Sequence, residues 1–224
     1  MRVLGIDTAT SRASAGLWAD GSVVAEQHAS SRNHAASLLP LIDAVLSTAD
    51  WRVDSIDVLA VSAGPGSFSG LRVGLSVAKG FALAAGVSVV AVPTLEALAA
   101  TVADRQGLIC CLLDAHKGEL YRACFAAESG RLRRLSADVA VSVAVAVATM
   151  PQPCVVVGDA VERYGEILAT ALSPTGTLLS FPEYGPRGGA VAAWAAQHFT
   201  ERGAASLSSL EPFYIRTPEV QVSN

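Results

Sequence analysis

Two short apolar runs, each ending in an aspartate, open the two halves of this chain of 224 residues. The first run covers Arg2 to Asp7 and the second covers Leu108 to Asp114. Further strand-like segments follow each run, and Asp20-Gly21 supplies residues that tolerate the positive φ of a tight hairpin turn. Each half therefore begins with antiparallel strands, which commits the chain to sheets that carry helices on their faces.

The rest of each half alternates helices with strands. In the first half we predict strands over Ala13–Ala19, Ser22–Ala29, Asp57–Ala63 and Val87–Val92, and helices over His34–Ala49, Gly70–Ala85 and Thr94 to about Asp104. In the second half we predict strands over Glu119–Ala127, from Arg131, and over Ala137–Val141 and Val155–Gly158, with helices over Val143–Thr149, Val161–Leu172 and Gly189–Arg202. Expected helix signals are a cap at Ser31 or Asn33, a stop at Gly86 and a cap at Ser142.

The order strand, strand, strand, helix, strand, helix thus occurs twice, and the second copy is the weaker one. A crossover helix that joins three antiparallel strands to a parallel strand makes a mixed sheet. Two such units facing each other predict an α/β, actin-like fold (ASKHA, ribonuclease H-like): a duplicated βββαβα unit in two lobes, with a cleft between them. We place the N-terminal lobe at 1–104, with the dimerisation helices, and a degenerate C-terminal lobe at 105–224.

Composition limits the function. With 51% hydrophobic residues, a formal charge of −4 and a pI near 5.5, the chain lacks the basic footprint of a self-sufficient nucleic-acid binder. Its four cysteines form no C-x-x-C, which favours reduced, buried thiols in the cytosol. Met1-Arg2 leads directly into a strand, as expected without a signal peptide, and Pro151 and Pro153 interrupt the longest uncharged run, so we expect a soluble, cytoplasmic protein without a membrane span.

The turns after the two aspartate-ending strands are where an actin-like enzyme binds nucleotide phosphates. Here Ala9 stands where the first turn needs a glycine, and His116 and Lys117 fill the second. Side chains keep phosphate from the backbone and resist positive φ. Two readings stay open: a working ATP site on Asp7 and Asp114, or acids that now hydrogen-bond their own turns. The candidate vestigial nucleotide cleft consists of Asp7, Thr8, Thr10 and Asp114.

The glycine-rich segment Gly64–Gly70 follows a strand and opens a helix, as a phosphate loop would. It has no Gly-Lys-Ser/Thr ending, and Pro65 separates the glycines of a would-be dinucleotide fingerprint. We interpret it as a rigid turn that places the next helix. No histidines are spaced for a metal pair, and Phe68 occupies the position of a nucleophile serine, so the sequence predicts no metal and no catalytic nucleophile.

The helices His34–Ala49 and Gly70–Ala85 are the most informative segments, because they are apolar on more than one face. In the second helix, small residues recur in steps of four at Gly70, Gly74, Ala78, Ala82 and Gly86, a stripe that admits close approach of another helix. A helix that is apolar nearly all round must be covered nearly all round. Ordinary core helices remain an alternative, but a subunit interface is favoured.

The chain resembles the bacterial TsaB (YeaZ) family over nearly its whole length. The resemblance rests on four stretches: Gly5-Ile6-Asp7-Thr8-Ala9-Thr10, Gly64-Pro65-Gly66-Ser67-Phe68-Ser69-Gly70-Leu71-Arg72-Val73-Gly74, Asp114-Ala115-His116-Lys117-Gly118-Glu119-Leu120-Tyr121 and Glu211-Pro212-Phe213-Tyr214-Ile215-Arg216. It implies an inert, actin-like subunit of the machinery that makes threonylcarbamoyladenosine beside the tRNA anticodon. The implied partners are a paralogous TsaD subunit, which carries the metal and performs the transfer, and a TsaE ATPase.

On this resemblance we expect a scaffold that heterodimerises with TsaD, contacts tRNA only through the complex, and has no cofactor or metal of its own. Weak ATP or ADP binding, a homodimer in isolation, and tRNA contact by Arg131, Arg133 and Arg134 stay open, as does the role of the Phe213–Arg216 tail. An active actin-like ATPase or kinase and a glycoprotease-like peptidase are the alternatives. The predicted partner-binding residues are His34, Leu38, Leu41, Ile42, Val45, Gly70, Leu71, Gly74, Leu75, Ala78 and Ala82. We expect Gly74→Arg or Ala78→Arg to abolish the heterodimer and to leave the monomer folded.

Overall fold

Two mixed sheets, one in each half of the chain, form the framework of the protein. The structure is a computed structural model that describes residues 1–30, 33–181 and 183–215. The strands are β1 (Val3–Asp7), β2 (Arg12–Ala19), β3 (Ser22–Ser30), β4 (Val58–Gly64), β5 (Ser88–Pro93), β6 (Gly107–Asp114), β7 (Glu119–Glu128), β8 (Arg131–Arg134), β9 (Val139–Ser142), β10 (Cys154–Val157) and β11 (Thr177–Leu178). The helices are α1 (His34–Thr48), α2 (Phe68–Ala85), α3 (Thr94–Ala100), α4 (Val143–Ala148), α5 (Ala160–Ala171) and α6 (Gly188–Arg202), with a 3₁₀ turn at Val53–Ser55.

The two sheets repeat one topology. The first has the order β3-β2-β1-β4-β5, and the second has the order β11-β10-β6-β7-β8, with β9 also paired to β7. In each sheet the opening strand pairs antiparallel with the next strand on one side and parallel with a later strand on the other. In the first sheet β1 pairs antiparallel with β2 and parallel with β4. In the second sheet β6 pairs antiparallel with β7 and parallel with β10. The duplicated, actin-like α/β fold predicted from the sequence is confirmed. The exact division at 104/105 stays a prediction.

Local signals act where the sequence indicated. Asn33 accepts a hydrogen bond from the Ala36 backbone N–H at the start of α1, and Ser142 does the same for Val145 at α4. The alternative cap Ser31 lies outside the described residues. Gly86 ends α2 with a φ of 67°, and the ambiguous valine-rich segment is strand before Ser142 and helix after it, as predicted. Helix α3 ends at Ala100, before the predicted end near Asp104.

Helices cover both faces of the first sheet. One face packs against α1 and α2, whose inward side chains share a core with Leu4, Ile6 and Leu17 of the sheet. The other face packs against α3 and α6, so the last helix of the second half lies on the first sheet. At the N-terminus of α6, Gly188 N–H donates to Ser14 Oγ at 2.7 Å. This helix ties the two halves of the chain together.

The carboxylate of Glu96 on α3 makes a second connection between the halves. Its Oε1 accepts from Arg134 Nε and Nη2 of β8 at 3.0 and 2.9 Å. Its Oε2 accepts from Trp194 Nε1 of α6 at 3.1 Å. One partly buried acid therefore joins α3, β8 and α6 through charge-assisted hydrogen bonds.

Two further sequence expectations concern the cysteines and the membrane. All four cysteines are free and buried, as predicted. Within residues 1–30, 33–181 and 183–215, no helix has both the length and the apolar character needed to cross a bilayer.

Candidate functional site

The turn after β1 is filled by the protein's own chain. Asp7, Thr8, Ala9 and Thr10 are all buried, with exposed fractions of 0–3%. The Thr8 hydroxyl donates to the carbonyl of Gly70 at 2.8 Å, and the Ser67 N–H donates to the carbonyl of Ala9 at 2.7 Å. The Gly64–Gly70 loop and the start of α2 therefore cover the turn where an actin-like enzyme would hold phosphate.

Glycines in this loop and in the first turns of α2 allow both segments to pack closely against the turn after β1. A Cβ added at Gly70 or Gly74 would come well under 3.0 Å from Thr8, whose carbonyl and hydroxyl oxygens occupy that space. One at Gly66 would meet the Ala9 carbonyl at 2.5 Å. The first two residues of the stripe, Gly70 and Gly74, thus serve the contact of α2 with the β1 turn inside the monomer.

Asp7 lies at the bottom of this closed turn. Its carboxylate accepts hydrogen bonds from Ser62 Oγ and, at 3.1 Å, from the Ala9 N–H. Burial raises the pKa of Asp7 to about 6, against the opposing effect of these hydrogen bonds. The Asp7 carboxylate therefore accepts a hydrogen bond within its own turn, which is the alternative to a working ATP site that the sequence leaves open.

The turn after β6 is more open. Asp114 Oδ1 accepts from the His116 N–H at 2.9 Å, and Oδ2 lies 3.2 Å from Arg163 Nη1. His116 and Lys117 adopt φ values of 61° and 54°. Both residues thus adopt the left-handed conformation that side chains resist, and the hydrogen bond from the His116 N–H to Asp114 lies within the same turn.

Asp159 is a site residue that the sequence reasoning missed. It lies two residues after the end of β10, whereas Asp7 and Asp114 are the last residues of β1 and β6, and its Oδ1 accepts from the Asp114 N–H at 2.8 Å. Burial, opposed by that hydrogen bond and supported by the charges of Asp114, Glu162 and Asp7, raises the pKa of Asp159 to about 7. The signal was present in the sequence as Gly158-Asp159, a third strand followed closely by an acid.

This carboxyl gives the protein a pH-dependent stability. The unfolded Asp159 ionises near 3.8, whereas the folded one holds its proton to about 7, so folding should weaken as pH rises between these values. Because the side chain keeps some contact with solvent, we expect a loss of about 2 kcal/mol, less than the full conversion of the shift. Asp159→Asn should remove this loss, so its gain in thermal stability over the wild type should be larger at pH 8 than at pH 5.

Asp54→Asn is the matched control for the pH experiment. Asp54 is exposed and its pKa is lowered by the hydrogen bond from Arg52, so neutralising it should not produce a gain that grows with pH. Thermal denaturation of the three proteins across this pH range measures the difference. An equal effect of Asp159→Asn at pH 5 and pH 8 would contradict the argument.

No group of three or more His, Cys, Asp or Glu side chains suited to hold a metal occurs in the described part of the chain.

His34, at the start of α1, is buried. Its Nε2 lies 2.9 Å from the Thr10 carbonyl oxygen, and its buried Nδ1 has no hydrogen-bond partner among the described residues. The histidine therefore connects α1 to the β1 turn.

The predicted partner-binding residues occupy the inner faces of α1 and α2. Ten of the eleven are buried in the monomer: His34, Leu38, Ile42, Val45, Gly70, Leu71, Gly74, Leu75, Ala78 and Ala82. Leu41 is half-buried against the same core. These side chains pack against the first sheet and the β1 turn inside the monomer, and their contact with a partner stays a prediction. The helices remain candidates for a partner surface through their outer sides.

We call these outer sides the helical face. On α1 it consists of Ala35, Ala36, Leu39, Pro40, Asp43, Ala44, Ser47 and Thr48, and on α2 of Ser69, Arg72, Ser76, Gly80, Leu83 and Ala84. Leu39 and Leu83 are 52% and 77% exposed. The two helices contact each other, so the face is continuous. Asp43, Arg72 and the half-buried Lys79 are the only Asp, Glu, Lys or Arg residues of α1 and α2.

The Phe213–Arg216 tail, whose role the sequence leaves open, begins beside this face. Phe213 N–H donates to the carbonyl of Ala63 at 2.6 Å, and the Tyr214 ring lies 5.1 Å from that of Phe68. Arg72 stacks 3.9 Å from the Phe68 ring and donates to Tyr214 Oη at 3.2 Å. The tail thus extends the helical face with aromatic groups. Arg216 lies outside the described residues.

The basic cluster is divided by the fold. Arg134 is engaged with Glu96 and Asp138, whereas Arg131 and Arg133 are exposed on the short strand β8. The structure therefore leaves two of the three predicted arginines facing solvent.

Comparison with known proteins identifies the family. The family model described as TsaD, tRNA N6-adenosine threonylcarbamoyltransferase, matches residues 21–222. The TsaB proteins of Escherichia coli (38% identity over 55% of this chain and 54% of that protein) and Bacillus subtilis (26% over 99% and 96%) are relatives. YeaZ from Pseudomonas aeruginosa has the same fold, with a TM-score of 0.79, 22% identity and coverage of 95% and 99%. The chain belongs to the TsaD family and, within it, to the TsaB (YeaZ) proteins.

Proposed function

We propose that this protein is a non-catalytic subunit that binds a TsaD protein and supports the formation of threonylcarbamoyladenosine in tRNA. The relatives from Escherichia coli and Bacillus subtilis are named as tRNA threonylcarbamoyladenosine biosynthesis proteins, which supports a role of this chain in the same tRNA modification. The match to the TsaD family model supports a paralogue as partner, because paired subunits of one fold can join through equivalent surfaces.

The observation that carries this proposal is the helical face. Leu39 and Leu83 expose 52% and 77% of their surface on it, among small residues that permit close approach of another helix. A continuous, weakly charged, largely apolar surface on two adjacent helices is typical of a subunit interface. We infer that two helices of the partner pack against this face.

The closed turn after β1 supports a role without chemistry. A phosphate group would have to displace the contacts of Thr8 and Ala9 with the Gly64–Gly70 loop before it reached the backbone of the turn. Asp7 and Asp114 accept hydrogen bonds from the backbone of their own turns, which supports a structural role for both carboxylates. We propose that the subunit has no cofactor of its own, that TsaE and any ATP or ADP act in the larger complex, and that tRNA is contacted through that complex.

A substitution on the helical face tests the interface. Leu83→Glu places a charge at a site that becomes buried in the proposed complex, while it leaves the monomer core untouched. We expect the affinity for TsaD to fall at least about 30-fold, the effect of losing about 2 kcal/mol at an interface hot spot. Isothermal titration calorimetry with the purified TsaD of the same organism measures it, and a reconstituted tRNA modification assay should show a parallel loss.

Ile167→Glu is the matched control. Ile167 is 53% exposed on α5, away from the helical face, so the same change of charge should leave the affinity for TsaD unchanged. Wild-type affinity of Leu83→Glu, or equal losses in both variants, would contradict the proposed surface. ATP turnover by the purified subunit alone, abolished by Asp7→Ala, would instead favour the alternative of an actin-like ATPase.

A further inference from the structure

Cys110 and Cys124 face each other across strands β6 and β7. The register of the antiparallel pair sets these two residues directly opposite, and their sulfur atoms lie 3.9 Å apart. Cys110 is fully buried, whereas Cys124 keeps 7% of its surface exposed. The pair therefore combines a fully enclosed cysteine with a buried one that keeps a small exposed area.

The backbone geometry of this pair suits a disulfide. The Cys124 N–H donates to Ser136 Oγ at 2.9 Å, and its carbonyl accepts from the Leu135 N–H at 2.8 Å, so both backbone groups point away from β6. Cys110 and Cys124 thus form a non-hydrogen-bonded pair, in which the Cα atoms of antiparallel strands are about 4.5 Å apart. Disulfides span Cα separations of roughly 4.4 to 6.8 Å.

The other two cysteines are placed less well. Cys111 lies opposite Ala123 and points to the other face of the sheet. Cys154 on β10 lies opposite Leu108, two residues along the strand from Cys110. That offset, added to the spacing between strands, gives a Cα separation of about 8 Å, beyond the range of a disulfide.

The surroundings of Cys124 favour its thiolate. The hydrogen bond with Cys110, together with the guanidinium of Arg122 and the hydrogen bond with Ser136, lowers the pKa of Cys124 to about 7 against the opposing effect of burial. The same contact with Cys124, together with burial, raises the pKa of Cys110 well above its usual value. The reactive sulfur is thus that of Cys124, the residue with the small exposed area, and the fully enclosed Cys110 thiol beside it holds the proton.

We propose that Cys110 and Cys124 form a reversible disulfide when the protein meets hydrogen peroxide. The Cys124 sulfur attacks one peroxide oxygen, so that an S–O bond forms, the O–O bond breaks, and the released hydroxide takes up a proton as water. The Cys110 sulfur then attacks the sulfenic acid of Cys124. The S–S bond forms, the S–O bond breaks, and the proton of Cys110 leaves with the hydroxyl group as a second water. The two thiols lose two electrons, which reduce the peroxide, and a thiol reductant restores them.

Peptide mapping of the full-length protein treated with hydrogen peroxide tests the proposal. Trypsin should release Cys110 and Cys111 together on peptide 106–117 and Cys124 on peptide 123–131, so the experiment uses Cys111→Ala to make the link unambiguous. We expect the two peptides to appear joined, with the loss of two hydrogens, and to separate on reduction. Cys110→Ala should instead stop at the sulfenic acid, which dimedone traps on Cys124.

Cys111→Ala is also the matched control for folding, because Cys111 is as buried as Cys110 on the same strand. It should keep the wild-type rate of disulfide formation, while Cys124→Ala should abolish the joined peptides. A link from Cys124 to Cys154 or between molecules, irreversible oxidation of Cys124 without a link, or no reaction of either thiol in the folded protein would each overturn the proposal.

Discussion

Gly74→Arg is expected to unfold the monomer rather than only to release a partner. A Cβ at this position would overlap Thr8 Oγ1 and lie 3.4 Å from Val61 Cγ2, so the added side chain would enter the contact of α2 with the first sheet. The guanidinium would have neither space nor a counter-charge there. We expect a loss of about 4 kcal/mol or more, a large part of the 5–15 kcal/mol typical of a folded domain. Thermal and urea denaturation followed by circular dichroism measure the loss.

Gly80 provides the control within the same helix. Nothing lies within 4 Å of a Cβ added there, and its φ is not in the left-handed region. Gly80→Ala should therefore stabilise the protein by about 0.5–1 kcal/mol, because alanine favours the helix over glycine. Gly80→Arg should fold normally and disturb only the helical face. A folded, stable Gly74→Arg protein would contradict the packing described for α2.

The sequence alone predicts the opposite outcome for Gly74→Arg, namely a folded monomer that no longer binds its partner. The periodicity of α2 and the step of four between its small residues were read from the sequence, and the helix exists. The pattern could not say which apolar side packs inward, because α2 carries apolar residues on both sides. A stripe that admits a partner helix equally admits the β1 turn, and only the structure shows that Thr8 fills it.

The other differences between the predicted and the observed structure depend on contacts between residues that are far apart in the sequence. The element order, the caps at Asn33 and Ser142 and the aspartates at strand ends are local signals, and they held. Asp159 was missed because its role depends on β10 lying beside β6, which brings it to Asp114. Similarly, no pattern within α6 indicates that it packs on the first sheet rather than on the second, since its apolar residues would suit either surface.

Gly5→Ala is expected to have a comparably large effect, at the contact between the two halves of the chain. Gly5 lies in the central strand β1, and a Cβ there would overlap the carbonyl of Gly188 and approach the Ala192 nitrogen to 2.5 Å. Because both obstacles are backbone atoms of α6, the helix would have to move away from the sheet. We expect a loss of about 3 kcal/mol or more, which corresponds to a fall in melting temperature of roughly 10 °C for a chain of this size.

Two further variants separate this backbone collision from a simple loss of side-chain fit. In Gly5→Ala/Ala192→Gly the contact with the Ala192 Cβ, at 2.9 Å, is relieved, but the contacts with the Gly188 carbonyl and the Ala192 nitrogen remain. The double variant should therefore recover little of the lost stability. Gly165→Ala, whose nearest neighbour would be Leu178 at 3.9 Å, should be tolerated. Full recovery of stability in the double variant would mean that the Ala192 side chain alone limits the space at Gly5. The backbone contacts of Gly5 with α6 would then not determine the position of the helix.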